Sequence, residues 1–267
     1  MLDFYQNLPS LINPIVFSFG SFSMYWYSLM YVIGFVTILF LLYWRVYKKE
    51  TDMAWDDIFD FLLNSFLAII IGGRLGYVVL YNLDYFSSNP LEIIFPFGEN
   101  GNFTGIYGMS YHGGVLGFIL VTYLFCKKRK INFLKLTDFV LPAIPAGYFF
   151  GRIGNFLNGE LYGRVIDKMW GMNFGDGLLR HPSQLYEAFF EGVILFLILW
   201  LLRNRLAKNI GMISGLYILG YGTARFVIEF LREPDSQIGF VIGVLTMGQM
   251  LSVIMIFGGL YLINKNK

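Results

Sequence analysis

The segment Gly151-Arg-Ile-Gly-Asn-Phe-Leu-Asn-Gly-Glu-Leu-Tyr-Gly-Arg164 sets Arg152, Asn155, Asn158, Glu160 and Arg164 among four glycines. Arginine forks beside amide side chains suit a phosphate oxyanion, and glycine lets the backbone turn and approach a ligand closely. A polar turn at a membrane edge also has to satisfy its own backbone groups, but it does not need two Arg, two Asn and a Glu together. A second cluster, Tyr221-Gly-Thr-Ala-Arg-Phe-Val-Ile-Glu-Phe-Leu-Arg-Glu-Pro234, places Arg225 and Glu229 at i, i+4, with Arg232 three residues further on. That spacing makes an ion pair on one helix face. Glu229 reads equally as a structural partner that lowers the cost of burying a charge. Arg225 reads as the second half of an anion clamp.

Two histidine motifs complete the inventory. Ser110-Tyr-His-Gly-Gly-Val-Leu-Gly117 offers His112 as an acid or base near neutral pH, although a lone histidine also serves as a satisfied structural residue. His181-Pro-Ser-Gln-Leu-Tyr-Glu187, with Glu191 one turn beyond, reads as mainly structural. Ser183 is placed to cap a helix, and Glu187 and Glu191 are placed to balance buried arginines. No nucleophile-elbow context surrounds Ser183, which argues against serine hydrolase chemistry. With a single cysteine, Cys126, and two histidines, the chain offers neither a disulfide framework nor an expected metal site.

These residues must be positioned by membrane helices. Apolar residues make up 56% of the 267 positions and charged residues 14%, below the roughly 25% of a soluble domain. A chain this apolar would aggregate in water, which excludes a soluble enzyme, a disordered protein and a nucleic-acid binder. Seven stretches approach the roughly 20 apolar residues that cross a bilayer: Phe22–Tyr43, Ile58–Tyr81, Gly105–Cys126, Phe133–Phe156, Ser183–Leu202, Gly211–Phe230 and Val241–Ile263. The expectation is an all-α integral membrane protein of a single polytopic domain. A small outer head, from Leu157 to His181, is too short to fold alone and must dock on the helices.

Lys and Arg set the orientation. Arg45, Lys48 and Lys49 follow the first span; Lys127, Lys128, Arg129, Lys130 and Lys135 follow the third; Arg203, Arg205 and Lys208 follow the fifth; Lys265 and Lys267 end the chain. The first 44 residues and the loop Asn82–Tyr111 carry none. The N-terminus is therefore expected outside and the C-terminus in the cytoplasm. Asp3 and the lack of a basic n-region predict a retained first span rather than a cleaved signal peptide. The remaining basic residues, Arg74, Arg152, Arg164, Lys168, Arg180, Arg225 and Arg232, run against this pattern. An Arg at the bilayer centre costs about 2.5–3.5 kcal/mol on insertion scales and marks a protein interior, a wet cavity or a function. Arg74 is expected to line a lipid cavity or to pair with Asp60, Glu187 or Glu191.

The informative polar groups gather toward the outer leaflet, so the natural ligand is an anionic lipid headgroup. The four motifs, with Trp26-Tyr-Ser-Leu-Met-Tyr31, resemble in content and order those of the bacterial prolipoprotein diacylglyceryl transferases. The resemblance covers nearly the whole chain apart from the loops Asn82–Gly105 and Val165–Arg180. It implies transfer of the sn-1,2-diacylglyceryl group from phosphatidylglycerol to the lipobox cysteine of a prolipoprotein, with release of glycerol phosphate and without metal or organic cofactor. By the same resemblance, Arg152 binds phosphatidylglycerol, and Arg225, Asn155, Glu160, Tyr27 and His112 match residues the family needs. The expected site is His112, Arg152, Arg225, Tyr27, Asn155, Glu160 and Glu229, with Arg152, Arg225, Asn155 and Gly163 on the lipid. The expected partners are phosphatidylglycerol, the hydrophobic signal peptide of a prolipoprotein and membrane lipid, in the bacterial plasma (inner) membrane with the site facing outward.

The residue types fit that reaction. The thiolate is the nucleophile, and a free thiol ionises near pH 8.5, so a base or a positive field must help; His112 is the candidate base, while Glu160 and Glu229 serve equally to orient the arginines. A transporter or flippase for an anionic lipid, or a lipid-binding subunit, would use the same arginines. Transporters commonly show inverted repeats and midplane sites; here the only internal echo is Gly73-Arg-Leu-Gly76 against Gly151-Arg-Ile-Gly154, and the clusters sit toward one face.

Overall fold

The computed structural model describes residues 2–20, 22–94, 108–234, 240–243 and 245–265. In chain order, helix α1 (Leu2–Leu11) leads into an antiparallel pair, β1 (Ile15–Phe19) and β2 (Phe22–Tyr25), and then α2 (Trp26–Tyr47). Helices α3 (Trp55–Tyr81), α4 (Leu83–Ser88), α5 (Tyr111–Arg129), α6 (Phe133–Val140) and α7 (Ile144–Leu157) follow. The head carries β3 (Met172–Asn173) and β4 (Leu179–Arg180). Next comes α8 (Ser183–Glu187), continued by a π-helical turn over Ala188–Ile194 into α9 (Leu195–Leu202). The chain ends with α10 (Met212–Ile228), the pair β5 (Phe240–Ile242) and β6 (Leu245–Thr246), and α11 (Met247–Lys265).

Among the described residues, five helical stretches are long and apolar enough to cross a bilayer: Trp26–Tyr47, Trp55–Tyr81, Phe133–Leu157, Ser183–Leu202 and Met247–Lys265. Two of the seven expected spans are shorter apolar or charge-ended helices. α10 has 17 residues, and α5 ends in Lys127-Lys128-Arg129. The start of the third expected span, 105–107, lies outside the described residues, as does most of the loop between α4 and α5. Two expectations are corrected. The fold is mostly helical rather than all-α, since among the described residues three short antiparallel pairs accompany the helices. The first span begins at Trp26, because residues 22–25 are spent on pairing with β1.

The helices are inverted relative to those of a soluble protein. On α11, Ile254 and Phe257 are 67% and 68% exposed, while Gln249, Ser252 and Gly259 are buried. On α2, Val32, Val36 and Phe40 face outward, and Gly34, Leu42 and Arg45 are buried. Large apolar residues turned outward and small or polar ones turned inward are the pattern of helices packed within lipid, where close backbone approach and interhelical hydrogen bonds replace the hydrophobic drive. The chain is an integral, multi-pass membrane protein.

The chain divides into two compact units, residues 1–51 with 137–267, and residues 52–136, with the boundary inside α6. In the larger unit α2 packs along α7, α7 along the π turn, and α10 along α11. The Asp138 carboxylate accepts from the Ser214 amide at 2.7 Å and from the Ser214 hydroxyl at 2.6 Å, which places an anion at the N-terminus of α10, where the helix dipole favours it. Glu50 takes Arg45 at 2.7 Å and Arg203 at 3.1 Å. Burial raises the Glu50 pKa, but its bonds to Arg203 and Arg45 outweigh burial and hold it below the ordinary carboxylate value. Arg203 also lies over Trp200, 4.1 Å from the ring centre.

In the smaller unit α3 and α5 pack at close range. A Cβ on Gly113 would collide with the carbonyl oxygen of Gly72, so this crossing requires glycine. Phe61 packs against Phe118 and Phe125 in the same interface.

Candidate active site

The Glu187 carboxylate, fully buried at the end of α8, is where Arg152, Arg225 and Arg232 of the larger unit meet. Oε2 faces Arg152 Nη1 from α7 at 3.1 Å. Oε1 accepts from Arg225 Nη1 on α10 and from Arg232 Nη1 at 3.1 Å. Arg225 turns its Nη2 to Glu229 at 2.9 Å, the i, i+4 pair expected from the sequence. Glu229 also accepts from the Thr246 hydroxyl at 2.9 Å. Arg152 donates from Nε to the Tyr148 hydroxyl at 2.7 Å and reaches the Asn155 side-chain oxygen from Nη1 at 3.4 Å. The Tyr148 hydroxyl in turn donates to Glu191.

Three guanidinium groups thus stand together without bare repulsion, because buried charges are tolerated only when paired and hydrogen-bonded. Not every donor is spent. Among the described residues no partner reaches Arg152 Nη2 or Arg225 Nε. Two planar forks from different helices with unspent N–H groups form a seat for an oxyanion.

A neighbouring group closes the end of α7. The Asn158 side-chain oxygen accepts from the Tyr27 amide at 3.2 Å, and its amide nitrogen donates to Glu160 at 2.8 Å. Gln184, fully buried, donates to the Glu160 carbonyl at 2.6 Å, and Ser183 to the Leu161 carbonyl at 3.0 Å. The Tyr27 ring lies 4.6 Å from that of Tyr31. Glu160 is exposed and holds its own turn rather than a guanidinium.

The segment after α7 packs against the rest of the larger unit. Gly163 bonds to the His181 carbonyl at 2.8 Å and bridges Arg232, and the Arg164 amide bonds to the Leu231 carbonyl at 2.9 Å. A Cβ on Gly163 would run into the Leu231 carbonyl oxygen and the His181 side chain, so glycine is required there by close packing. Phe174 stacks on Tyr162 at 5.1 Å and meets Phe156 at 6.0 Å. α1 packs on β3, with the Asn173 side chain donating to Asn7 at 3.0 Å. Burial lowers the His181 imidazole below its ordinary value, and its ring faces the Tyr186 hydroxyl at 3.3 Å.

Several sequence expectations are redistributed. Arg152, Asn155, Arg225 and Glu229 converge; Tyr27 and Glu160 flank them; Gly163 lies in the head packing. Arg164 donates to the Arg232 carbonyl at 3.0 Å rather than joining the arginine fork. Ser183 does not cap α8. His112 stands in the first turn of α5, in the smaller unit, half-buried, where Ser110 caps that helix through the Gly113 amide at 3.2 Å. Arg74, also in the smaller unit, bonds to the carbonyls of Ile93 at 2.8 Å and Glu92 at 2.6 Å and lies over Phe86. Asp60, one of its expected partners, pairs with Arg129 at 2.8 Å. Glu187 is the hub of the site, where the sequence suggested only a counter-charge. Tyr148 was not anticipated, although its place four residues before Arg152 is a helical-neighbour spacing.

The family model described as prolipoprotein diacylglyceryl transferase matches residues 14–264. A protein of Chlorobaculum tepidum named phosphatidylglycerol–prolipoprotein diacylglyceryl transferase is 46% identical over 272 residues, covering 97% of this chain and 93% of its own length. Proteins of the same name from Rickettsia conorii and Rickettsia bellii are 49% and 47% identical, each covering 96% of its own length and 94% and 96% of this chain.

Proposed function

The chain belongs to the prolipoprotein diacylglyceryl transferase family, and on that premise we propose how its own residues carry the reaction. The protein transfers the diacylglyceryl group of phosphatidylglycerol to the cysteine thiol of a prolipoprotein, the first step of lipoprotein maturation. One observation carries the assignment of the site: Glu187 holds Arg152 and Arg225, from separate helices, side by side with donors to spare.

The thiolate attacks the glycerol carbon that bears the phosphate ester. A C–S bond forms, the C–O bond to phosphate breaks, and glycerol phosphate departs. The thiol proton goes to a general base. The phosphodiester gains negative charge as it leaves, so donors aimed at its oxygens stabilise the transition state more than the ground state. Arg152 Nη2 and Arg225 Nε are those donors. Asn155 and Glu229 orient them. Tyr27, Asn158 and Glu160 shape the adjoining wall, and Gly163 lets the head close against Arg232. Low surrounding polarity strengthens each charge-assisted bond.

The fold carries this chemistry as seven spans with the N-terminus outside and the C-terminus in the cytoplasm, in the bacterial inner membrane, with the arginine seat facing outward. The supporting observation is the clustering of thirteen of the 20 Lys and Arg in alternate connections and at the tail.

Two measurements test the reading. Purified protein given phosphatidylglycerol and a lipobox peptide is expected to yield a peptide heavier by one diacylglyceryl group and an equal amount of glycerol phosphate. Lipid binding without modified peptide would instead mark a binder or transporter. In intact cells, with Cys126 replaced by Ala, Asp167→Cys is expected to react with an impermeant thiol reagent and Lys208→Cys to be protected; the reverse pattern would invert the topology.

A further inference from the structure

Arg152 is held from behind. Its Nε donates to the Tyr148 hydroxyl at 2.7 Å, and its guanidinium lies over the same ring, 4.8 Å from the centre. Tyr148 passes its own hydrogen to Glu191 Oε2. Glu191 is 1% exposed, and its other oxygen, Oε1, is buried without a hydrogen-bond partner. A buried carboxylate with one unsatisfied oxygen costs stability that an apolar side chain would not. Glu191 also lies in the π-helical turn Ala188–Ile194, a local widening found most often at functional sites.

We propose that Tyr148 and Glu191 are positioning residues that orient Arg152 toward the phosphate of the lipid. This rests on the function stated above. In this pair the Tyr148 hydroxyl donates and the Glu191 Oε2 oxygen accepts. Glu191 therefore takes the hydroxyl hydrogen of Tyr148 and leaves the hydroxyl lone pairs to Arg152 Nε. With Nε held by Tyr148 and Nη1 by Glu187, the planar fork cannot rotate, and Nη2 is presented in one direction. Remove the acceptor and the tyrosine hydrogen is free to turn toward the guanidinium, donor against donor.

The test uses full-length protein in detergent micelles, with phosphatidylglycerol varied at saturating lipobox peptide. Tyr148→Phe, which keeps the ring, is expected to lower kcat/KM for phosphatidylglycerol about tenfold to hundredfold, the loss of one hydrogen bond to a charged group. The KM for peptide and the Tm stay near those of the parent. Glu191→Gln keeps an acceptor for the hydroxyl and stays within about threefold of the parent. Glu191→Leu matches Tyr148→Phe. The double variant Tyr148→Phe with Glu191→Leu is no worse than either single change, because the two act as one chain. Full kcat/KM in folded Tyr148→Phe, equal effects of Gln and Leu at 191, or additive losses would each overturn the proposal. Equilibrium binding of short-chain phosphatidylglycerol reads the same contact without turnover. If the parent binds the lipid but releases no glycerol phosphate, the assigned reaction fails, while weaker binding by Tyr148→Phe still supports the positioning role and unchanged binding overturns it.

Discussion

Arg152 Nη1 and Glu187 Oε2 face each other at 3.1 Å, the first from the helix that leads into the head and the second from the helix that leaves it. The carboxylate is fully buried and is shared with Arg225 and Arg232. The pair therefore ties the two ends of the head insertion to α10.

Removing that hub should be costly. Glu187→Leu leaves Arg232, buried, and Arg152 and Arg225, half-buried, short of a partner, and breaking a buried ion pair typically destabilises by about 3–5 kcal/mol. The expected result is a clear drop in thermal unfolding temperature in detergent and loss of transferase activity. Glu187→Gln retains hydrogen bonding without charge and is expected to fall between the two.

Charge alone should not suffice at the forks. Arg152→Lys and Arg225→Lys keep a cation but lose the planar geometry that serves Glu187 and phosphate together. Each is expected to lower kcat/KM for phosphatidylglycerol by about 10²–10³, the cost of losing one transition-state donor, with little change in Tm. Near-parental turnover by either lysine variant would show that the fork is unnecessary at that position.

The head should loosen in mild acid. Burial lowers the folded-state pKa of His181 below its ordinary value of 6.5, so the opened head binds the proton more readily than the closed one. The stabilising contribution is present above pH 6.5 and declines as pH falls through that value toward the folded pKa. Amide hydrogen exchange over residues 163–181, corrected for intrinsic rates, is expected to be slower at pH 7.5 than at pH 5.5. His181→Gln should flatten that difference.

Gly163 should tolerate no side chain. A Cβ there meets the Leu231 carbonyl oxygen and His181, so Gly163→Val is expected to detach the head strand from Arg232 and raise protease cleavage between 163 and 181. Cleavage like that of the parent would mean that the packing opens freely.

The sequence carried the membrane class, because the length and apolar character of a span are local properties of the chain. It also carried Arg225 with Glu229, since an i, i+4 pair is local. Glu187 was legible as a counter-charge to the intramembrane arginines, but not as the meeting point of three of them, because these lie 35, 38 and 45 residues away and such convergence depends on how helices cross. The π-helical turn that holds Glu191 left no periodic signature, since the segment Ala-Phe-Phe-Glu-Gly-Val-Ile reads as ordinary apolar helix. The strand before α2 was hidden for the same reason: Phe22–Tyr25 is apolar enough to belong to the span it precedes. Arg74 read as lining a lipid cavity or pairing with Asp60, Glu187 or Glu191, and it bonds to the backbone carbonyls of Ile93 and Glu92 beyond α4.

The central claim is that the arginine seat holds the departing phosphate. The most direct measurement follows glycerol phosphate release and peptide mass across phosphatidylglycerol concentrations for the parent and for Arg152→Ala, with lipid binding recorded in parallel. The account predicts one diacylglyceryl group on the peptide per glycerol phosphate released by the parent, and loss of both products in folded Arg152→Ala. Parental turnover by folded Arg152→Ala would contradict it.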